Sequence, residues 1–167
     1  SATDDVTVLG RSQDKDEYNV LVKRNKAEFK QVDKHSFYLE PQESDSAYSF
    51  SCHFYGNPGK GKIQTFSETD EASKKSWEKF WSTGGAVDFS ECKDPRAKEL
   101  ERRVILSQYL TKIQCSGSLP PAETGLTYNS WYGKFHLEMH WWHAVHFALW
   151  QRAGILEKQM NYYFDIF

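Results

Sequence analysis

The sequence predicts an α+β protein in which strands come first and helices follow. Up to residue 66, short runs rich in Val, Phe and Tyr alternate with polar punctuation, which is the pattern of antiparallel strands. From Ser67 onward, capping residues and apolar side chains at helical spacing take over. A third observation locates the chemistry: residues 123–150, ETGLTYNSWYGKFHLEMHWWHAVHFALW, hold four of the six histidines and four of the six tryptophans.

In chain order, strands are expected over residues 6–9, 18–23, 27–32, 36–39 and 47–55, forming an antiparallel meander or part of a sandwich. The turns between them are polar: Arg24-Asn25-Lys26, Asp33-Lys34-His35 and Pro41-Gln42-Glu43-Ser44. In AYSFSCHFY, Tyr48, Phe50, Cys52 and Phe54 share one face of a half-buried strand. The cluster Asn57-Pro58-Gly59-Lys60-Gly61 predicts a turn, and residues 62–66 one more strand.

Residues 67–80 predict a polar surface helix capped by Ser67, with acids in its first turn and lysines later, matching the helix dipole. Thr83-Gly84-Gly85 stops it, and residues 86–89 suit a short strand. Asp94-Pro95 then places an N-cap before a first-turn proline, opening a helix to about Cys115. Its apolar side chains run around most of the circumference, so burial on more than one side is expected. Gly117 ends it, and an irregular loop carries the chain to Gly133. A loop of that length ahead of a helix is more often functional than idle. One helix begins at His136 or Leu137 and runs to about Arg152. Ala153-Gly154 breaks it, and a last amphipathic helix spans 155–167.

At 167 residues the chain has the length of one ordinary domain or two small ones. The net charge of −2, from 21 basic and 23 acidic side chains, gives no electrostatic case for nucleic acid or an anionic membrane surface. No apolar run approaches the roughly 18 residues that span a bilayer, and SATDDVTVLG lacks the basic and apolar regions of a signal peptide. Cys52, Cys92 and Cys115 form no CxxC pair, and mostly buried free thiols are the expectation. Aromatic residues make up 16% of the chain at a mean hydropathy of −0.72, so rings supply much of the buried and recognition area. Flat rings beside imidazoles and carboxylates suit a ligand with apolar faces and many hydroxyls, and a sugar is the leading candidate.

Within the dense window, His136, Glu138 and His140 spell H-L-E-M-H, which differs from the metalloprotease pattern H-E-x-x-H. At about 100° per residue, His136, His140 and His143 share a helix face while Glu138 points the opposite way, unlike a zincin. An all-histidine metal site is the alternative these three keep open; otherwise no resident metal and no cofactor are expected. For His143 and His146 the ordinary reading is packing in a helical core, whereas His136 and His140 lie nearest the loop and are expected to touch ligand. Glu123 and Glu138 are the candidate catalytic acids, since a glycosidase needs two carboxyl groups across the scissile bond. The ordinary alternative for Glu123 is a loop acid capping a turn. Trp131 and Tyr132 suit a stacking platform, with core plugs as the alternative.

The stretch LSQYLTKIQCSGSLPPAETGLTYNSWYGKFHLEMHWWHAVHFALW resembles the start of the catalytic barrel in Bacteroides-type glycoside hydrolases of the six-hairpin, (α/α)6 class, distantly related to glycoside hydrolase families 65 and 95. The resemblance implies a β-sandwich portion over 1–66, a helical linker over 67–93 and the N-terminal part of the barrel over 94–167. Gly133-Lys134-Phe135-His136-Leu137-Glu138 occupies the place of a family 65 G-H-x-F-W-D run whose Trp and Asp contact sugar, so Leu137 replaces that Trp and Glu138 that Asp. In family 95 relatives the run reads N-I-N-x-E-M; His136 stands near its second Asn, and Glu138-Met139 is retained. By this resemblance Trp131, Tyr132, Lys134, His136, Glu138, His140 and Trp141 line a sugar subsite of an inverting hydrolase that is periplasmic or extracellular. The catalytic acid and base of such enzymes lie further along the barrel, so the chain is expected to be a fragment whose partners are a carbohydrate and the remainder of its own polypeptide. A noncatalytic carbohydrate-binding or assembly module is the alternative from a different class.

Overall fold

The structure, a computed structural model, describes residues 5–42, 47–56, 61–126, 128 and 130–166. It is a mixed α+β chain with five antiparallel strands in two sheets and four α-helices among the described residues. Two compact units divide it, Ser1–Trp77 and Glu78–Phe167.

In the first unit, β1 (Asp5–Gln13), β2 (Asp16–Asn25) and β5 (Ser49–Gly56) form a sheet in the order β1-β2-β5, and β3 (Ala27–Asp33) pairs with β4 (Ser36–Pro41). All five expected strands are present. Because side chains alternate along a strand, the register Thr7↔Val22↔Cys52 puts Leu9, Arg11, Val20, Arg24, Phe50 and Phe54 on one face. The β3–β4 ribbon lies on the β1–β2 part of that face: Arg11 sits over the Phe37 ring and Arg24 over Phe29, while Arg24 also donates to Ala27 O. Val20, Val22 and Ala27 are buried there. The expectation for Tyr48, Phe50, Cys52 and Phe54 needs correction. They share a face, but among the described residues nothing covers it at β5, and all four are exposed.

The strand expected over 62–66 does not form. This segment crosses the opposite sheet face, where a Cβ on Gly61 would meet the Tyr55 ring at 2.7 Å and Leu21 Cδ1 at 2.9 Å. Most of the Asn57–Gly61 turn lies outside the described residues, as do Glu43 and Ser44 of the earlier one. Helix α1 (Phe66–Ser82) is capped by Thr65, not Ser67. Glu68 N donates to Thr65 Oγ1 at 3.2 Å and Thr65 N to Glu68 Oε2 at 2.7 Å, a reciprocal capping box. The helix is polar and exposed as expected, with Phe80 its buried residue.

The second unit takes the end of α1, then α2 (Ala97–Cys115), α3 (Leu137–Leu149) and α4 (Ala153–Asp165). Residues 86–89 form no strand; Phe89 N donates instead to Glu101 Oε2 at 2.6 Å. The expected N-cap at Asp94 with Pro95 as first helical residue needs correction: α2 starts at Ala97 with Arg96 as its N-cap and no side-chain cap bond, while Asp94 Oδ1 accepts from Arg96 N at 2.9 Å in the turn before it. Burial of α2 on several sides is not observed. Ala97, Gln108 and Cys115 are its buried residues, and Leu100, Ile105, Leu106, Tyr109, Leu110 and Ile113 are exposed. The expectation of mostly buried thiols is also corrected: Cys52 and Cys92 are exposed and Cys115 is buried, which pushes its thiol up to about 11.

The break between α3 and α4 falls two residues earlier than expected. Gln151 adopts φ 58, Arg152 N donates to Phe147 O at 2.7 Å and Gln151 N to Ala148 O at 3.0 Å. That pair of bonds is a Schellman cap with Gln in the place that glycine favours, and Gly154 lies inside α4. The core around it is small: Ala144 and Phe147 from α3 and Gln159 from α4 are fully buried.

Candidate functional site

The polar residues of the second unit fall into two clusters. The first is sealed. Arg152 is buried and donates through Nε and Nη2 to Phe80 O at 3.1 and 2.8 Å, and through Nη1 to Gly85 O at 3.2 Å and Gln108 Oε1 at 3.3 Å. Its guanidinium lies 4.0 Å over the Phe80 ring, a cation–π contact. Gly84 is required beside it, since at φ 78 a Cβ would meet Trp150 O at 2.5 Å. One helix away, Gln159 Nε2 donates to Cys115 O and to Gly117 O, so its Oε1 must accept, which it does from His140 Nε2 at 2.8 Å. In neutral His140 the proton therefore sits on Nε2, and Nδ1 accepts from the Tyr163 hydroxyl at 2.7 Å. With 5% of its surface exposed and both ring nitrogens engaged, His140 is part of the core.

The second cluster is open. Glu123 N donates to Lys134 O at 3.0 Å, drawing together the ends of a loop that runs from 123 to 134 and continues to the start of α3. Compact loops with close ends are frequently functional. α2 anchors this one: Gln114 Oε1 accepts from Leu126 N at 2.5 Å, and Gly125, at φ 74, leaves no room for a Cβ against the same oxygen. Asn129 lies outside the described residues.

At the far end Trp131, Tyr132 and Gly133 take φ 51, 59 and 66 in succession, a left-handed turn closed by Gly133 N to Ser130 O at 3.1 Å. Left-handed backbone costs a residue bearing a Cβ roughly 1–2 kcal/mol, and two bulky aromatics in a row are genuine outliers. The strained turn holds both rings in solvent, Trp131 59% exposed and Tyr132 91% exposed. Lys134 Nζ lies 5.8 Å over the Tyr132 ring. The His136 and Trp131 rings meet in a T-shaped arrangement, with ring centres 5.8 Å apart and an interplanar angle of 76°, so indole and imidazole form a corner. Behind the imidazole, Glu123 Oε2 lies 3.3 Å from His136 Nε2 but off the hydrogen-bonding axis, so that buried oxygen has no hydrogen bond.

His143 lies beside this pair, beneath the Glu123 main chain. Burial lowers its pKa, an effect the Glu123 main chain partly offsets, and its buried Nδ1 has no partner. Glu138 and Trp141 are exposed on the opposite face of α3, together with Leu137 and Trp142. The structure thus brings Trp131, Tyr132, Lys134, His136 and Glu123 together. It leaves Glu138 and Trp141 on another surface and puts His140 in the core. Among the described residues no group of three His, Cys, Asp or Glu side chains is arranged to hold a metal ion. Gln114, Gln159 and Arg152 were not legible as organisers, although Gln159 interrupts the apolar stripe of α4 formed by Ile155, Leu156 and Tyr163.

Comparison with known proteins gives no relative from which to transfer a role: no protein-family model matches the sequence, no curated protein matches it, and no solved structure matches the fold.

Proposed function

We propose that this chain is part of a glycoside hydrolase and that its 123–136 loop forms one wall of a sugar pocket. The observation that carries the reading is the left-handed turn at Trp131 and Tyr132, since backbone strain of this kind clusters where a ligand must be met. Trp131 offers an apolar face for a pyranose ring, and His136 stands perpendicular to it to bond a hydroxyl. Lys134 and Tyr132 form the rim.

In this reading the two sheets belong to a β-sandwich, and the exposed apolar residues of α2 and α3 are covered by further helices of an (α/α)6 barrel that also bring the catalytic acid and base. Leu100, Ile105 and Leu110 on α2 and Leu137 and Trp142 on α3 are the surfaces such helices would bury. The enzyme is inverting and exported by the same resemblance.

A carbohydrate-binding module without catalysis is the second reading. It is favoured by the two acids: Glu123 faces His136, while Glu138 leaves α3 on the opposite side, so they do not flank one bond. Affinity electrophoresis and calorimetry against neutral xylo-, cello-, manno- and arabino-oligosaccharides test the shared claim. Binding by the wild-type chain is expected, and no binding across the panel contradicts both readings. Turnover of the same oligosaccharides by the full-length protein separates them: hydrolysis supports the first reading, and binding without hydrolysis the second.

A further inference from the structure

Glu123 is fixed at two points. Its main chain closes the neck of the loop on Lys134, and its side chain, 20% exposed, is turned toward His136. Oε2 is sealed from solvent without a hydrogen bond, which for a charged acceptor is costly. His136 Nε2, 3.3 Å away, is the nitrogen the structure sets beside it. Such alignments are commonly loose in the ligand-free state and tighten on binding. Lys134 Nζ lies over Tyr132 and Glu138 leaves on the far side of α3. The Glu123 charge also acts on His143, whose Nδ1 makes no hydrogen bond with it, so His136 Nε2 is the ring nitrogen paired with the carboxylate. Among the described residues no hydrogen bond engages His136 Nδ1.

We infer that Glu123 is a positioning residue for His136: its carboxylate holds the imidazole proton on Nε2 and leaves Nδ1 as a hydrogen-bond acceptor for a donor group of the ligand on Trp131. A donor-bearing ligand then gains a bond that an aprotic one of the same shape does not, so the corner selects hydroxyls. The ligand's identity as a sugar rests on the reading proposed above; the tautomer does not. His136 and His140 thus carry the same proton, on Nε2, for opposite ends. In His140 both nitrogens are spent on the core, and in His136 one is kept for the ligand.

Long-range proton–nitrogen spectra of the uniformly labelled full chain, at about pH 8 where an ordinary imidazole is neutral, read the tautomer directly, with His136→Gln assigning the signals. The wild-type imidazole is expected in the Nε2–H form. Glu123→Leu is expected to erode that preference and weaken binding of the neutral oligosaccharide panel about tenfold, the effect of one lost hydrogen bond to a buried site. Glu123→Gln keeps an acceptor and is expected to retain both properties, which a merely structural role for the charge would not predict. An Nδ1–H form in the wild-type chain overturns the inference, as does an unchanged tautomer ratio in Glu123→Leu. Should Glu123→Leu not fold, Glu123→Ala gives the same comparison, and an Nδ1–H form in the wild-type chain still overturns the inference. A chain whose Nε2–H preference falls in Glu123→Leu but which binds none of the oligosaccharides upholds Glu123's role and overturns the sugar reading.

Discussion

The sealed network around Arg152 and Gln159 and the open corner at Trp131 and His136 are built from the same kinds of side chain within one 90-residue unit, and they do opposite things with them. In the network nearly every donor meets a carbonyl or amide acceptor away from water. In the corner the rings are solvated, the backbone is strained and two buried polar atoms, Glu123 Oε2 and His143 Nδ1, have no partner. Satisfied polar networks specify a unique core, whereas unsatisfied ones store cost that a ligand or a second conformation can recover. What separates His140 from His136 is the number of partners already taken, not the residue type.

The sharpest way to break this contrast is at Arg152. Arg152→Met keeps the stem over Phe80 but strips donors from Phe80 O, Gly85 O and Gln108 Oε1, and should cost about 3–5 kcal/mol; a urea midpoint close to wild type would show that the network is incidental. Tyr132→Gly comes next and runs the other way. Relief of the left-handed strain should stabilise the chain by about 1 kcal/mol while weakening glycan binding, a trade expected of a functional residue and not of a core plug. Thermal melts with and without oligosaccharide read both.

Smaller still is an effect outside both clusters. Glu99 is held down to about 2 by side-chain hydrogen bonds from Arg102 first and then Arg103, at the solvent-exposed start of α2. A depressed carboxyl stabilises the fold above its unfolded value, near 4.3, and loses that contribution as pH falls toward the folded value. The difference in melting temperature between wild type and Glu99→Gln should therefore be present at neutral pH and vanish near pH 2. It should also shrink with salt, because the pairs are exposed.

How much of this could be read from the residues follows from how local each signal is. The five strands were legible because alternation and polar turns are properties of neighbours. The start of α2 was legible only to within two residues, because Asp94 bonds Arg96 in the turn ahead of the helix and does not cap it. Burial was not, since it depends on what lies across the chain: Phe50 and Phe54 share a face as expected, yet among the described residues nothing covers that face at the edge strand. The dense His and Trp window was visible, but its division was not. His140 enters the core because Gln159, nineteen residues later, presents an acceptor, and nothing local to H-L-E-M-H announces that. The left-handed Trp131–Gly133 turn has only Ser130 and Gly133 as local signals, and at α1 two hydroxyl residues, Thr65 and Ser67, compete in the sequence for the cap.

The most direct test measures oligosaccharide affinity and urea midpoint together for Trp131→Ala and Gln159→Leu. Trp131→Ala should lose at least about tenfold in affinity, the worth of one stacked ring, with its midpoint nearly unchanged. Gln159→Leu should lose about 2–3 kcal/mol of stability by orphaning Cys115 O, Gly117 O and His140 Nε2, while its folded fraction binds as wild type does. If both variants lose affinity and stability in the same proportion, corner and core are one structural unit and the division drawn between them is wrong.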